Sequence, residues 1–184
     1  EEGVYDTQLE GISRIIDRFQ ADQDRQFFLR IHPNLNEVDN ASLRALYQLE
    51  APNFFIIPAD SEIDTYTLLK RADKVISFGS TTGIEATYWG SPSIVLRTSF
   101  YYNLGSTYNP TTHKEVCELI EAEHLAPKDI EGALMFAYYR TNFGIPYKYF
   151  EGLNFWEGTF KGKPLREEPW LHGLIRVKDL FVNN

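Results

Sequence analysis

Four short apolar runs constrain this chain more than anything else in it. They read Gln26-Phe27-Phe28-Leu29-Arg30-Ile31, Asn53-Phe54-Phe55-Ile56-Ile57, Lys74-Val75-Ile76-Ser77-Phe78 and Pro92-Ser93-Ile94-Val95-Leu96. Each is rich in β-branched or aromatic residues and lies beside Pro, Gly or Asn, which marks it as a strand. None alternates cleanly between apolar and polar, as a strand with one wet face must, so the runs suit a parallel sheet buried on both sides. Segments of helical period separate them. Leu9, Ile12, Ile15, Ile16 and Phe19 predict a helix over Thr7 to Asp22, and a second is expected from Val38 to Leu49 with Asn36 or Asn40 as its cap. A third runs from Glu62 to Ala72 behind an Asp60-Ser61 cap, and a fourth over Gly83 to Trp89. Helices and strands alternating through short connections give an α/β chain, Rossmann-like, with a doubly wound parallel sheet.

After the last strand, Arg97 to Pro110 reads as a loop that is both polar and aromatic. Thr112-His113-Lys114-Glu115 has the form of a capping box opening a helix to Glu123, and another helix is expected from Asp129 to Thr141. The tail FGIPYKYFEGLNFWEGTFKGKPL carries aromatics and glycines without one period. The expected organisation is a nucleotide-binding domain over residues 1–125, with a helical and irregular, aromatic-rich extension over 126–184 packing on it.

The 184 residues suffice for one ordinary domain, and the formal net charge of −8 includes no Lys/Arg cluster of the kind a nucleic-acid surface needs. Nucleic acid is not expected as a partner. Cys117 is the single cysteine, so no internal disulfide can form, and its acidic helical frame suits a structural thiol. No apolar run reaches the roughly 18–20 residues that span a bilayer, and no signal peptide is visible. The chain begins Glu1-Glu2 without methionine, which is expected of a processed protein or a piece of a longer one.

Doubly wound sheets bind ligands at the carboxyl ends of their strands. Two features occupy such ends. The first is SFGSTTGIEATYWGSP, residues 77–92, in which a strand runs through Gly79, Ser80, Thr81, Thr82 and Gly83 into a helix carrying Glu85. Free N–H groups at a helix start, two glycines and three hydroxyls can seat a phosphate. Thr82-Gly83-Ile84-Glu85 equally fits a capping box, with Glu85 returning a bond to the cap. The second feature is His32-Pro33, where the imidazole could donate to a phosphate oxygen or stabilise charge on a departing phosphate. Arg30, two residues earlier on the same strand face, could assist it at the phosphate; the alternative for Arg30 is a salt-bridged strand end. Arg97, after the last strand, faces the cleft or is a plain surface arginine. His113, His124 and His172 lack partners at metal-ligand spacing, and none of the common dinucleotide, P-loop or hydrolase signatures is present.

The series FLRIHPNL, DTYTLLKRADKVISFGSTTGIEATYWGSPSIVL and SFYYNLG, in that order and spacing over about Phe27 to Tyr108, resembles the C-terminal half of capsule polysaccharide biosynthesis proteins. These are glycosyltransferases of the GT-B fold. The resemblance implies that His32 contacts the donor phosphate, that Ser80, Thr81 and Thr82 bind the phosphate of the nucleotide, and that Glu85 holds the ribose hydroxyls. It implies no metal and no cofactor, since helix dipole and side chains stabilise the leaving nucleotide. The implied partners are a nucleotide-sugar donor, a saccharide or glycolipid acceptor and a missing N-terminal domain that binds the acceptor, so the isolated piece is expected to be inactive. Such enzymes often work at the inner leaflet; a cytoplasmic location is expected, with peripheral association at the inner membrane face as its alternative, although the acidic balance offers no obvious lipid-binding patch. A sugar-nucleotide 2-epimerase, a CDP-polyol phosphotransferase and a non-catalytic nucleotide-sugar-binding domain share parts of this pattern and stay as alternatives.

Overall fold

A computed structural model describes residues 3–144, 147–153 and 158–165, and the chain divides into two compact units, Glu1–Thr141 and Asn142–Asn184. The first unit carries α1 (Gln8–Phe19), β1 (Phe27–Arg30), α2 (Ala41–Tyr47), β2 (Phe54–Ile57), α3 (Thr65–Arg71), β3 (Val75–Ser77), α4 (Thr82–Tyr88), β4 (Ser93–Val95), α5 (His113–Glu121) and α6 (Glu131–Asn142). The order alternates as the hydrophobic periods predict, and the class is mixed α/β. β1 pairs parallel with β2, Phe27 opposite Phe54, and β3 pairs parallel with β4, Val75 opposite Ser93. The backbone ladder therefore forms two parallel pairs, where the sequence suggested one continuous sheet. With three or four residues per strand, side chains join the pairs. Phe78, one residue past β3, packs against both of the larger apolar clusters.

Those clusters meet along α1. Ile12 and Ile16 pack with Ile31, Leu43, Leu46 and Ala59 on the β1–β2 side. Ile15 and Phe19 pack with Ile94, Leu96, Val116 and Ile120 on the β3–β4 side. Beyond β4, Val95 N donates to Tyr108 O and Tyr108 N to Ser93 O, both at 2.8 Å, so the expected loop touches the strand edge in parallel once.

The helix starts follow side-chain chemistry. Thr7 caps α1 by accepting from Glu10 N at 3.1 Å, and Asn40 caps α2 by accepting from Leu43 N at 2.8 Å. The expected Asp60-Ser61 cap is displaced. Ser61 N still donates to Pro58 O at 3.1 Å and Ser61 Oγ accepts from Ile63 N, so the chain is turning there. Asp64 caps α3 instead, accepting from Thr67 N at 2.7 Å. Thr112 caps α5 as expected, while the Glu115 carboxylate accepts from Thr111 N, one residue earlier than a capping box requires. No helix among the described residues is long and apolar enough to cross a membrane.

The second unit contains three short antiparallel strands in the tail expected to be helical and irregular: β5 (Phe150–Gly152), β6 (Gly158–Phe160) and β7 (Lys163–Pro164), in that spatial order. Lys161 and Gly162, at φ 51° and 74°, form the two-residue link between β6 and β7. Positive φ at both central residues is the turn whose twist matches the strands it joins.

Two buried polar knots hold the first unit. Asn53 Nδ2 lies within hydrogen-bond distance of Phe19 O, Asp22 O and Arg25 O at 2.9, 3.0 and 3.0 Å, fastening the exit of α1 to the start of β2. Tyr5 Oη lies 2.6 Å from His113 Nδ1, and Cys117 Sγ lies 3.5 Å from His113 Nε2. Burial pushes the Tyr5 phenol up to about 12 and raises the thiol of Cys117, which is buried. Replacing Asn53 by Ala removes a donor that three carbonyls share; the urea midpoint is expected to fall by the equivalent of about 1–3 kcal/mol, and an unchanged midpoint would show that the carbonyls do not depend on it. Burial, then Arg14 and Arg18, lower the His113 pKa below its usual value. A group depressed in this way binds its proton first in the unfolded chain, so its contribution to stability is present above about 6.5 and is lost as pH falls. An NMR titration of the His113 ring should give a midpoint below about 6.5; one at or above it contradicts the half-buried, neutral ring.

Candidate functional site

The residues singled out by sequence fall in three places. Ser80, Thr81, Thr82, Gly83 and Glu85 form the turn from β3 into α4. The turn is possible because Gly79 sits at φ 90°, a backbone region that side chains disfavour. Ser80 and Thr81 are exposed and Thr82 is half-buried. The Ser80 and Thr82 hydroxyls lie 3.0 Å apart, and Thr82 N approaches Ser80 Oγ at 3.4 Å.

The capping box read at Thr82–Glu85 does not form. Thr81 stands at the cap with φ −57° and ψ −24°, already helical, and makes no side-chain cap bond. Thr82 is the first residue inside the helix. Glu85 turns instead toward Tyr66 on α3, whose phenol it pushes up by its charge, with burial and their mutual hydrogen bond adding to the effect. The helix start thus presents exposed hydroxyls at Ser80 and Thr81, while the N–H groups of Thr82 and Gly83 already point to Ser80 Oγ and Ser80 O.

Gly83 has a packing role. A Cβ there would lie 2.6 Å from Tyr101 Oη, 3.2 Å from Ser77 Cβ and 3.2 Å from a Val95 methyl. The missing side chain lets α4 sit close against β3, β4 and the Tyr101 ring. Tyr101 is 1% exposed, its pKa is raised chiefly by burial, and its hydroxyl donates to Ser80 O. Neither Tyr101, within SFYYNLG, nor Tyr66 on α3 carries a side-chain pattern in the sequence that announces its place beside the turn.

His32 and Arg30 lie at the other parallel pair. His32 is exposed and caps a short 3-10 turn, Pro33–Leu35, with Nδ1 accepting from Asn34 N at 3.0 Å. An imidazole that accepts at Nδ1 carries its proton on Nε2 when neutral, leaving that N–H as a donor. Arg30 donates through Nη1 to Ile31 O at 3.0 Å and to Pro58 O, and through Nη2 to Ser61 O at 3.2 Å. Its guanidinium ties the ends of β1 and β2 together through carbonyl oxygens. Arg97, half-buried after β4, forms an antiparallel bridge with Gly3. The structure thus gathers residues 80–85 with Tyr66 and Tyr101, while the hydrogen bonds of Arg30 and His32 stay at the β1 end.

The model of the capsule polysaccharide biosynthesis protein family matches residues 2–143. The chain belongs to that family. The match covers the whole run from α1 through α6, including every candidate residue above. Comparison with curated proteins and with solved structures gave no match.

Gly83→Ala should force Tyr101 or α4 to move, with a loss of about 1–3 kcal/mol typical of overpacking, read as a lowered thermal midpoint. A midpoint equal to the parent's would mean the close approach is not required.

Proposed function

We propose that this chain is the donor-binding part of a GT-B glycosyltransferase that builds capsular or other surface polysaccharide. Membership of the capsule family supports the pathway. The observation that carries the site is the β3–α4 turn, where Ser80, Thr81 and Thr82 line the start of a helix whose cap residue, Thr81, makes no side-chain cap bond. α4 has only seven residues, so its dipole is modest, and hydroxyl and backbone donors do most of the holding.

On this reading the nucleotide phosphate sits on the turn and the ribose hydroxyls meet Glu85. The bond between the sugar's anomeric carbon and the phosphate oxygen breaks, and the electron pair leaves with the nucleotide. Negative charge develops on the departing phosphate, where the turn's donors and the Nε2–H of His32 stabilise it. Arg30 acts indirectly by fixing the loop ends around His32, and Arg97 contributes a positive charge beside the cleft. A second domain supplies the acceptor saccharide or glycolipid and the base that removes its proton. The work is cytoplasmic, at the inner face of the membrane where such acceptors are presented.

A thermal-shift and calorimetry panel of CMP, CDP, UDP and GDP tests this. One nucleotide should stabilise the chain, and Ser80→Ala and His32→Ala should each weaken that binding by about five- to tenfold, the value of one or two polar contacts. CMP preference points to Kdo- or sialic-acid-like donors, CDP to polyol phosphate transfer, UDP to hexose transfer or epimerisation. Folded protein that binds none of the four, or variants that bind as tightly as the parent, would refute the assignment.

A further inference from the structure

Ser80 O is the most heavily engaged atom of the turn. Gly83 N donates to it at 2.9 Å, Ser77 Oγ lies 3.3 Å from it, and the Tyr101 hydroxyl donates to it. The first two donors belong to the chain on either side of the turn and move with it. Tyr101 lies 21 residues away in sequence and is anchored elsewhere. Its ring is buried with Ile84, Val95 and Ala133, and Phe136 of α6 meets it edge-on, centroids 5.5 Å apart at 72°. We propose that Tyr101 is a positioning residue for the phosphate seat, fixing the backbone at Ser80 so that the Ser80 and Thr82 hydroxyls face the ligand. The inference rests on the nucleotide-binding reading above.

The hydroxyl cannot reach a ligand itself, being 1% exposed and spent on a carbonyl. Its effect passes through one peptide unit. The Ser77 and Ser99 side chains also lie beside the buried hydroxyl, and Ser80 O is the acceptor it loses if the turn moves. The Ser80 carbonyl is therefore held to the Ile84–Val95–Tyr101 cluster, and the peptide plane that follows it, bearing the Thr81 N–H, takes its direction from that bond. Gly83 belongs to the same device, because any Cβ there meets the hydroxyl at 2.6 Å. Thr87, one turn further along α4, donates to Ser106 O at 2.6 Å and keeps the helix registered on the same loop region.

The test is Tyr101→Phe, which keeps the ring and removes only the donor. Nucleotide affinity is measured by calorimetry well below the thermal midpoint, and amide hydrogen exchange is read at Gly83 and, as a control, at Val95 N. The expected result is about five- to tenfold weaker binding of the nucleotide the parent prefers, with exchange at Gly83 accelerated more than at Val95. A purely structural tyrosine would lower the midpoint and speed both amides together while leaving affinity unchanged, and that result overturns the proposal. Parent-like affinity and parent-like Gly83 exchange overturn it as well, with the phosphate seat left standing. If the parent chain binds none of the four nucleotides, the seat itself is refuted and the proposal falls with it.

Discussion

The first unit depends on one helix packing in two directions. On α1, Ile12 and Ile16 make one row four residues apart, and Ile15 and Phe19 make the next. The first row lies in the cluster with Ile31, Leu43 and Leu46, the second in the cluster with Ile94, Leu96 and Val116. Since the strands pair only two by two, this double seam does what a continuous ladder does in a longer sheet. Burying each such side chain contributes about 1.5–3 kcal/mol. The exposed Arg14–Glu10 pair on the same helix, at 3.3 Å, belongs to a class worth roughly 0–1 kcal/mol. Apolar packing decides the architecture.

The seam also places the candidate site. Gly11 of α1 has no Cβ because one would lie 2.7 Å from the Phe78 ring. Phe78 therefore wedges against α1 and touches both clusters, and Gly79 and Ser80 follow it directly. The β3–α4 turn thus starts from the joint between the two parallel pairs. Its far side is held by Tyr101 on the Ser80 carbonyl and by Gly83 against β3 and β4. A turn fixed at both ends presents its hydroxyls with little freedom, which on the proposed reading lowers the entropy cost of holding the phosphate.

What was legible in the sequence was what local chemistry decides. The strand runs, the alternation and the caps at Asn40 and Thr112 each depend on residues a few positions apart. Where two local solutions competed, sequence could not choose. Asp60, Ser61 and Asp64 are all able caps, and the choice fell to Asp64 because the backbone is still turning at Ser61. Thr82 and Glu85 have capping-box spacing, yet Thr81 is already helical and Glu85 has a better partner in Tyr66. The pairing of strands two by two was invisible, since apolar runs declare burial and not neighbours. Tyr101 was invisible for a related reason: its partner is a backbone carbonyl 21 residues away, which leaves no pattern in side-chain types. The β5–β7 strands have too little alternation to announce themselves, and Lys161-Gly162 is a weaker turn signal than Asn-Gly.

The two halves of the proposed site differ in how they are held. The Ser80 turn is fastened into a cluster in which Val95 and Tyr101 are 0% and 1% exposed. His32 is exposed and fixed by one bond within its own turn, although the neighbouring Arg30 ties the loop ends after β1 and β2 through three carbonyls. In group transfer these jobs are unequal. The ground-state phosphate must be seated, which needs rigidity, while charge on the leaving group grows only as the bond breaks. An exposed donor suits the second job, and on the proposed reading the His32 Nε2–H, at the surface of a short turn, is that donor. On the proposed reading, the fastened turn seats the ground-state phosphate, and His32 contributes to binding and further to stabilising the departing charge.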